Sequence, residues 1–342
     1  MSLHNSDQLT LGVRTGPKFR SYRKKDINRL SGVTKYRQIY VPNAAMRQLQ
    51  QTLLNEVRSL RVPLPHATAS QPGTSIFSHV QPHIGHQYVV QYDLEDAYGT
   101  VQAATLDHLL RSYGSRGKWI AEVAVRYSMH AGGGLITGAA ASPDLFNIYA
   151  AALIDAPLTA LLQEWGDVCY TRYLDDLVFS SEKAIGRRRR SQILDVIRAT
   201  DFQLSHHKTR ISDLATDPHV VINGIGVRIT GDVFVARSFK RQLFTMLHQA
   251  AAGELSRQLL AGKMGAFYAA AGTTKDLTGS ERRIHQLYQK LLGEWRSDPS
   301  RIARRTQRQR EYRFKMGAHE RSRRRKEYRR SHPQRYNRRG RR

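Results

Sequence analysis

Two short segments of the chain each end an apolar, strand-like run in acid. One is Tyr88-Val-Val-Gln-Tyr-Asp93. The other is Val168-Cys-Tyr-Thr-Arg-Tyr173-Leu-Asp175-Asp176-Leu-Val-Phe179, with both acids in the turn of a hairpin. Alternation along a strand puts Asp93 on the face shared with Val89 and Gln91. If the two segments are sheet neighbours, three carboxylates meet at one edge, and such a cluster repels itself unless cations sit in it. Hard oxygen donors favour Mg²⁺, and two ions about 4 Å apart are the usual arrangement for phosphoryl transfer. One ion activates an attacking hydroxyl; the other neutralises a triphosphate and its leaving pyrophosphate. The same Asp-Asp pair also suits an ordinary turn, because Asp tolerates turn geometry.

The elements that must position these acids follow from the flanking pattern. Residues 1–40 are polar and basic, with Arg14, Lys18, Arg20, Arg23, Lys24 and Lys25 ahead of a strand-like run over 37–41. Pro42 and Asn43 open a helical pattern with Met46, Leu49, Leu53, Val57 and Leu60 on one face, and 61–73 reads as loop. After the strand at 88–93 come helices near 105–113 and 117–129, then the break Gly132-Gly133-Gly134. Ser142 and Pro143 supply an N-cap and a first-turn proline for a long helix whose apolar face includes Leu145, Phe146, Tyr149 and Leu153. The acid hairpin over 168–180, a basic helix at about 187–199, short strands between 219 and 236, and helix from 238 to about 295 complete the order. This order predicts an α+β layer arrangement, a mixed sheet backed on one face by helices.

Charge points to a polyanionic partner. The formal net charge is +27, and residues 301–342 alone carry 19 Lys/Arg against 3 Glu. Tyr312, Phe314, Tyr328 and Tyr336 interleave with those arginines, a combination of stacking and phosphate contact that suits RNA. A solvated basic tail would have the same composition. No run of about 18 apolar residues and no basic-then-apolar leader occurs, so no membrane segment is expected. Cys169 is the single cysteine, which excludes an intrachain disulfide and a cysteine zinc site and fits a reducing cytoplasm.

Five segments in one order resemble reverse transcriptases. Tyr173-Leu-Asp175-Asp176 is similar to their Tyr-x-Asp-Asp motif, and Asp93-Leu-Glu-Asp96-Ala97-Tyr98 to their first catalytic motif. Gly138-Ala-Ala-Ala-Ser142-Pro143-Asp-Leu145-Phe-Asn147 resembles Gly-x-x-x-Ser-Pro-x-Leu-x-Asn. Lys208 in Leu204-Ser-His-His-Lys208-Thr209 matches the next lysine motif, and Ile222-Asn-Gly224-Ile-Gly226-Val227 lies where the primer-gripping hairpin belongs. The resemblance covers about residues 20–295 and implies a right-hand polymerase. Its division would be fingers at 1–87 with a basic N-terminal segment, palm at 88–236 with a fingers insertion at about 100–135, helical thumb at 237–298, and an Arg-rich tail at 299–342.

The resemblance also implies roles. Asp93, Asp175, Asp176 and the Leu94 carbonyl would hold two Mg²⁺, and Lys208 would protonate pyrophosphate unless it is simply a solvated lysine. Lys35, Arg37, Gly138 and the backbone at Asp96 and Ala97 would contact the nucleotide. Tyr98 would block a 2′-hydroxyl and select dNTPs, or else be a core aromatic. Tyr173, Gly224, Gly226, Arg237, Lys240 and Arg241 would hold primer and template. Thr137 departs from the family, which commonly has glutamine there.

Among reverse transcriptases the retron enzymes are nearest in size. Their Asn-Ala-x-x-His element appears as His79-Val80 with His83 kept, and their Val-Thr-Gly as Ile222-Asn223-Gly224. A retron-like or unclassified bacterial enzyme implies an RNA template, an RNA–DNA duplex, a dedicated noncoding RNA and a role in phage defence. Two other readings stay open: an RNA-dependent RNA polymerase, and an idle RNA-binding scaffold.

Overall fold

The computed structural model describes residues 16–27, 34–272 and 277–297, with backbone alone for 24–27 and 34–37. The chain divides into two units, one within Met1–Phe239 and Gly262–Thr273, the other within Lys240–Ala261 and Thr274–Arg342.

The first unit opens with an antiparallel ribbon, β1 (Phe19–Ile27) and β2 (Thr34–Pro42), paired from Phe19↔Pro42 to Ile27↔Thr34. α1 (Ala44–Ser59) follows, its N-terminus capped by the Asn43 side chain, which accepts from the Met46 N–H at 2.8 Å. The buried face of α1 carries Met46, Leu53, Leu54 and Val57, spaced as a helix requires. A short helix α2 (Ile76–Val80) and a 3₁₀ turn (Gln81–His83) lead into β3 (Tyr88–Glu95). Then come α3 (Ala103–Arg111), α4 (Gly114–Ser128), α5 (Ser142–Ala150) and α6 (Ala156–Trp165), the last two joined through a π turn at Ala151–Asp155.

β4 (Cys169–Tyr173) and β5 (Asp176–Ser181) form the acid hairpin. After α7 (Arg187–Arg198), β6 (Gln203–Leu204) and β7 (Arg210–Asp213) both pair with β3 on the edge away from β5. A separate small sheet holds β8 (Val220–Ile222), β9 (Ile225–Val227) and β10 (Val233–Val235). Every described strand pair in the main sheet is antiparallel, whereas the element order suggested a mixed sheet. Helices intervene between β3 and β4 and between β5 and β6, yet paired strands run in opposite directions, and among the described residues parallel order is confined to an isolated bridge between Ala67 and Arg172.

The core lies on one face of this sheet. Val90, Tyr92 and Leu94 of β3 and Leu177 and Phe179 of β5 pack with Leu145, Phe146, Tyr149, Ile154 and Leu158 of the long helix and Ile193 and Ile197 of α7. The alternation that turns Val90, Tyr92 and Leu94 into the core leaves Asp93 on the opposite face. Ser142 is not the N-cap of α5: Ala141 holds that place, and the Ser142 hydroxyl instead donates to the Ile136 carbonyl at 2.8 Å. By length and composition Ser142–Trp165 could cross a bilayer, but 56% of its most apolar window is buried inside the protein, as a core helix is.

The second unit holds most of α8 (Arg237–Ala251), the start of α9 (Arg257–Ala271) and α10 (Gly279–Ser297). Within it the Glu281 carboxylate accepts from the Thr278 N–H and hydroxyl and from Lys240, fixing the first turn of α10.

Candidate active site

The three acids are gathered by strand register. β3 and β5 pair antiparallel with Asp93 opposite Asp176, and the Leu94 N–H donates to the Asp175 carbonyl at 2.9 Å. The β4–β5 turn is only two residues long, because Tyr173 pairs with Asp176 across it. Leu174 there sits at φ 54°, a left-handed conformation that a bulky side chain rarely adopts. Burial first, then the charges of Asp175 and Asp93, push the Asp176 carboxyl up to about 7, while Lys208 and a hydrogen bond from Asn223 act the other way. Asp93 is buried, and both of its oxygens accept from the Lys208 ammonium at 2.7 Å. A cluster short of positive charge thus draws on the nearest cation. Among the described residues no three His, Cys, Asp or Glu side chains form a finished metal cage, so the convergence expected for the acids is one of register rather than of closed coordination. The donor set, all hard carboxylate oxygen with charge to be neutralised, fits Mg²⁺.

The other expected site residues fall into two groups. Beside the acids, the Tyr98 ring packs 5.5 Å from Phe146, and its hydroxyl is held up by burial and then by the charges of Asp175 and Asp144. Tyr173 is half-buried against His79, with ring centroids 5.6 Å apart. Asp96 is exposed at φ 43°, Ala97 is buried, and the Leu94 side chain belongs to the core.

Farther out, several positions have packing explanations. A Cβ on Gly138 would strike the Tyr40 carbonyl, so the β2 backbone lies close against this glycine. A Cβ on Gly224 would lie 2.9 Å from the Cβ of Phe239, and one on Gly226 would meet the Phe234 ring. Lys240 is tied to Glu281 at 3.2 Å, while Arg237 and Arg241 are exposed. Lys35 and Arg37 lie on β2, but their side chains fall outside the described residues, as does the whole tail from 298 onward.

Two clusters of buried polar side chains lie beneath the hairpin, one built on His79 and His83 and one on Arg172. His83 bridges the strands, with Nδ1 2.7 Å from the Ser180 hydroxyl and Nε2 2.7 Å from the Thr171 hydroxyl. His79 Nδ1 is also 2.8 Å from the Thr171 hydroxyl. Burial, foremost, holds both imidazoles neutral, with pKa lowered to about 3. Arg172, fully buried, makes a forked ion pair with Asp155. The motif reading had placed His83 and Asn147 in family patterns, but nothing local in the sequence marks Asp155 as the partner of Arg172.

Residues 22–236 match the family described as reverse transcriptase (RNA-dependent DNA polymerase). Retron Mx65 reverse transcriptase of Myxococcus xanthus is 28% identical over 235 residues, covering 64% of this chain and 54% of that protein. Retron Mx162 reverse transcriptase of the same organism is 29% identical over 254 residues, covering 65% and 51%. The chain therefore spans about half the length of the curated relatives it matches. Among solved structures, telomerase from Candida albicans with a telomeric RNA fragment aligns at a TM-score of 0.48 and 12% identity, covering 80% of this chain and 56% of that one.

Proposed function

Since this chain belongs to the reverse transcriptase family, we propose that it is an RNA-directed DNA polymerase that copies an RNA template into cDNA. Reverse transcriptases work with divalent metal ions. The observation that carries the reading is the pairing of Asp93 with Asp176 across β3 and β5, with Asp175 in the adjoining turn. Asp93, Asp175 and Asp176, with the Leu94 carbonyl, would hold two Mg²⁺. When bound, such ions supply activation of the primer hydroxyl and neutralisation of the triphosphate.

The chain's own residues do the rest. Lys208, whose ammonium sits 2.7 Å from both Asp93 oxygens, would donate a proton to the leaving pyrophosphate. Tyr98 presents a packed aromatic beside the carboxylates, where it would exclude a 2′-hydroxyl. Asp96, Ala97, Gly138, Lys35 and Arg37 would line the nucleotide; Tyr173, Gly224, Gly226, Arg237, Lys240 and Arg241 would line primer and template. Residues 1–87 and about 100–135 are assigned to fingers, 88–236 to palm, 237–298 to thumb and 299–342 to a basic tail. Kinship with retron enzymes supports a dedicated noncoding RNA as partner and a cytoplasmic role in phage defence.

The test is primer extension on an RNA template with dNTPs or rNTPs. Metal-dependent dNTP incorporation supports the assignment; incorporation of rNTPs alone would make the chain an RNA polymerase. Tyr98→Val should raise the rNTP-to-dNTP ratio of kcat/KM, because a steric gate is differential transition-state binding.

A further inference from the structure

We propose that Arg172 is a positioning residue: with Asp155 and Asn147 it fixes the Leu174–Asp175 turn and so aims the Asp175 carboxylate. The proposal rests on the polymerase reading above, in which Asp175 is a metal ligand.

The Arg172 side chain is wholly buried, and every one of its five N–H donors has an acceptor. Nε and Nη2 grip the two Asp155 oxygens at 2.9 and 2.8 Å. Nη2 also reaches the Asn147 backbone carbonyl at 3.4 Å, and Nη1 the Asn147 side-chain oxygen at 3.0 Å. The remaining donor of Nη1 goes to the Leu174 carbonyl at 3.3 Å. That carbonyl belongs to the peptide just before Asp175. The peptide just after it is held by the Leu94 N–H, which donates to the Asp175 carbonyl at 2.9 Å. Both peptides flanking Asp175 are thus fixed, one from β3 and one from the buried arginine. Leu174, left-handed at φ 54°, would relax if either restraint were lost.

Asp155 reaches this place through the π turn, where the Ala156 N–H bonds back to the Ala151 carbonyl. It also accepts from the Tyr170 hydroxyl at 2.8 Å. Asn147 is locked in turn, its amide donating to the Ala69 carbonyl at 2.8 Å. Stability alone gives no reason for such a cluster, because well-packed apolar replacements of a buried ion pair are commonly neutral or stabilising. A lysine at 172 has three donors and no planar fork, so it could not meet all these acceptors.

The experiment uses the full chain with two variants, Arg172→Lys and the double variant Arg172→Met with Asp155→Leu, which removes both buried charges together. Thermal unfolding, dNTP kcat and KM on a primed RNA template, and Mn²⁺ binding by calorimetric titration are measured for each. The double variant should unfold within about 5 °C of the parent. Its kcat should fall about a hundredfold with little change in KM. Its Mn²⁺ affinity should weaken about tenfold or more. A stable double variant with parental kcat and Mn²⁺ affinity overturns the proposal. If the double variant melts early, Arg172→Lys decides: parental kcat there overturns it, and a drop in kcat and Mn²⁺ affinity without loss of fold supports it. A parent chain that incorporates no dNTP sinks the polymerase reading instead, and the Mn²⁺ titration still judges the aim of Asp175.

Discussion

Two hairpin turns in this chain are both two residues long, and they are built in opposite ways. Asn223 and Gly224 join β8 to β9 with φ 46° and 92°. Those residue types take left-handed backbone at little cost, so the turn is encoded locally. Leu174 and Asp175 join β4 to β5, and Leu174 adopts φ 54° with no such ease. This second turn is imposed by its surroundings: Arg172 from below, Leu94 from the side, and the histidine-bridged strands behind. The two turns meet, because the Asn223 side chain hydrogen-bonds Asp176. Where the turn serves as a support, its sequence makes it; where the turn carries the chemistry, the rest of the fold makes it.

Four measurements would break or sharpen that contrast. The largest effect is expected at the chemical turn. Asp175→Asn should lower dNTP incorporation by about a thousandfold or more while the protein still folds, since a lost metal ligand removes several kcal/mol of charge stabilisation. Near-normal synthesis by that variant would remove the turn from the chemistry.

Gly224→Ala tests the locally encoded turn. A Cβ there must accept φ 92° and sit 2.9 Å from Phe239, so unfolding free energy should drop by about 1–3 kcal/mol in a denaturant titration. Unchanged stability would show that the support turn is not held by its glycine.

The strands behind the chemical turn carry a pH dependence. His79 and His83 stay neutral in the fold with pKa near 3, against 6.5 for the free side chain. Below pH 6.5 the unfolded chain therefore binds protons that the folded chain refuses. Their contribution is fully present above that pH and is lost as pH falls toward 3, at up to about 1.4 kcal/mol per unit per histidine. Melting temperature should decline between pH 6 and 4, and His83→Gln should flatten the decline. An identical slope in parent and variant would mean that His83 takes up its proton in the fold as readily as when unfolded.

Leu174→Gly should have the smallest effect on stability, within about 1 kcal/mol, because relief of the left-handed backbone is offset by glycine's chain entropy and lost packing. A loss comparable to that of Gly224→Ala would mean that the leucine side chain, not the surrounding restraints, holds the turn.

The contrast also explains what the sequence disclosed. Period-two alternation put Asp93 on one face with Val89 and Gln91, but only the strand register sets it opposite Asp176. Asn43 marked its own helix start, and the family motif placed a hairpin at residues 222–227, whose turn is the locally favourable Asn223-Gly224 pair. Such features depend on neighbours within a few residues. The Arg172–Asp155 pair depends on an extra residue accommodated in a helix turn, which no apolar periodicity announces. Lys208 was placed near the site by motif, but its seat on Asp93 joins residues 115 apart. Ser142 had the right type for a cap, and the helix simply begins one residue earlier than that reading required. The sheet's antiparallel order could not be told from mixed order, because strand pattern carries no direction.

The helix running from Ser142 to Trp165 has a consequence during synthesis. It is long and apolar enough for an insertion machinery to accept on hydropathy alone. Asp155 lies near its middle, where an aspartate opposes entry into lipid by about 2.5–3.5 kcal/mol. Asp144 and Asn147 add to that opposition from the first turns. The carboxylate that grips Arg172 in the finished protein thus also biases the nascent segment toward water and its own sheet.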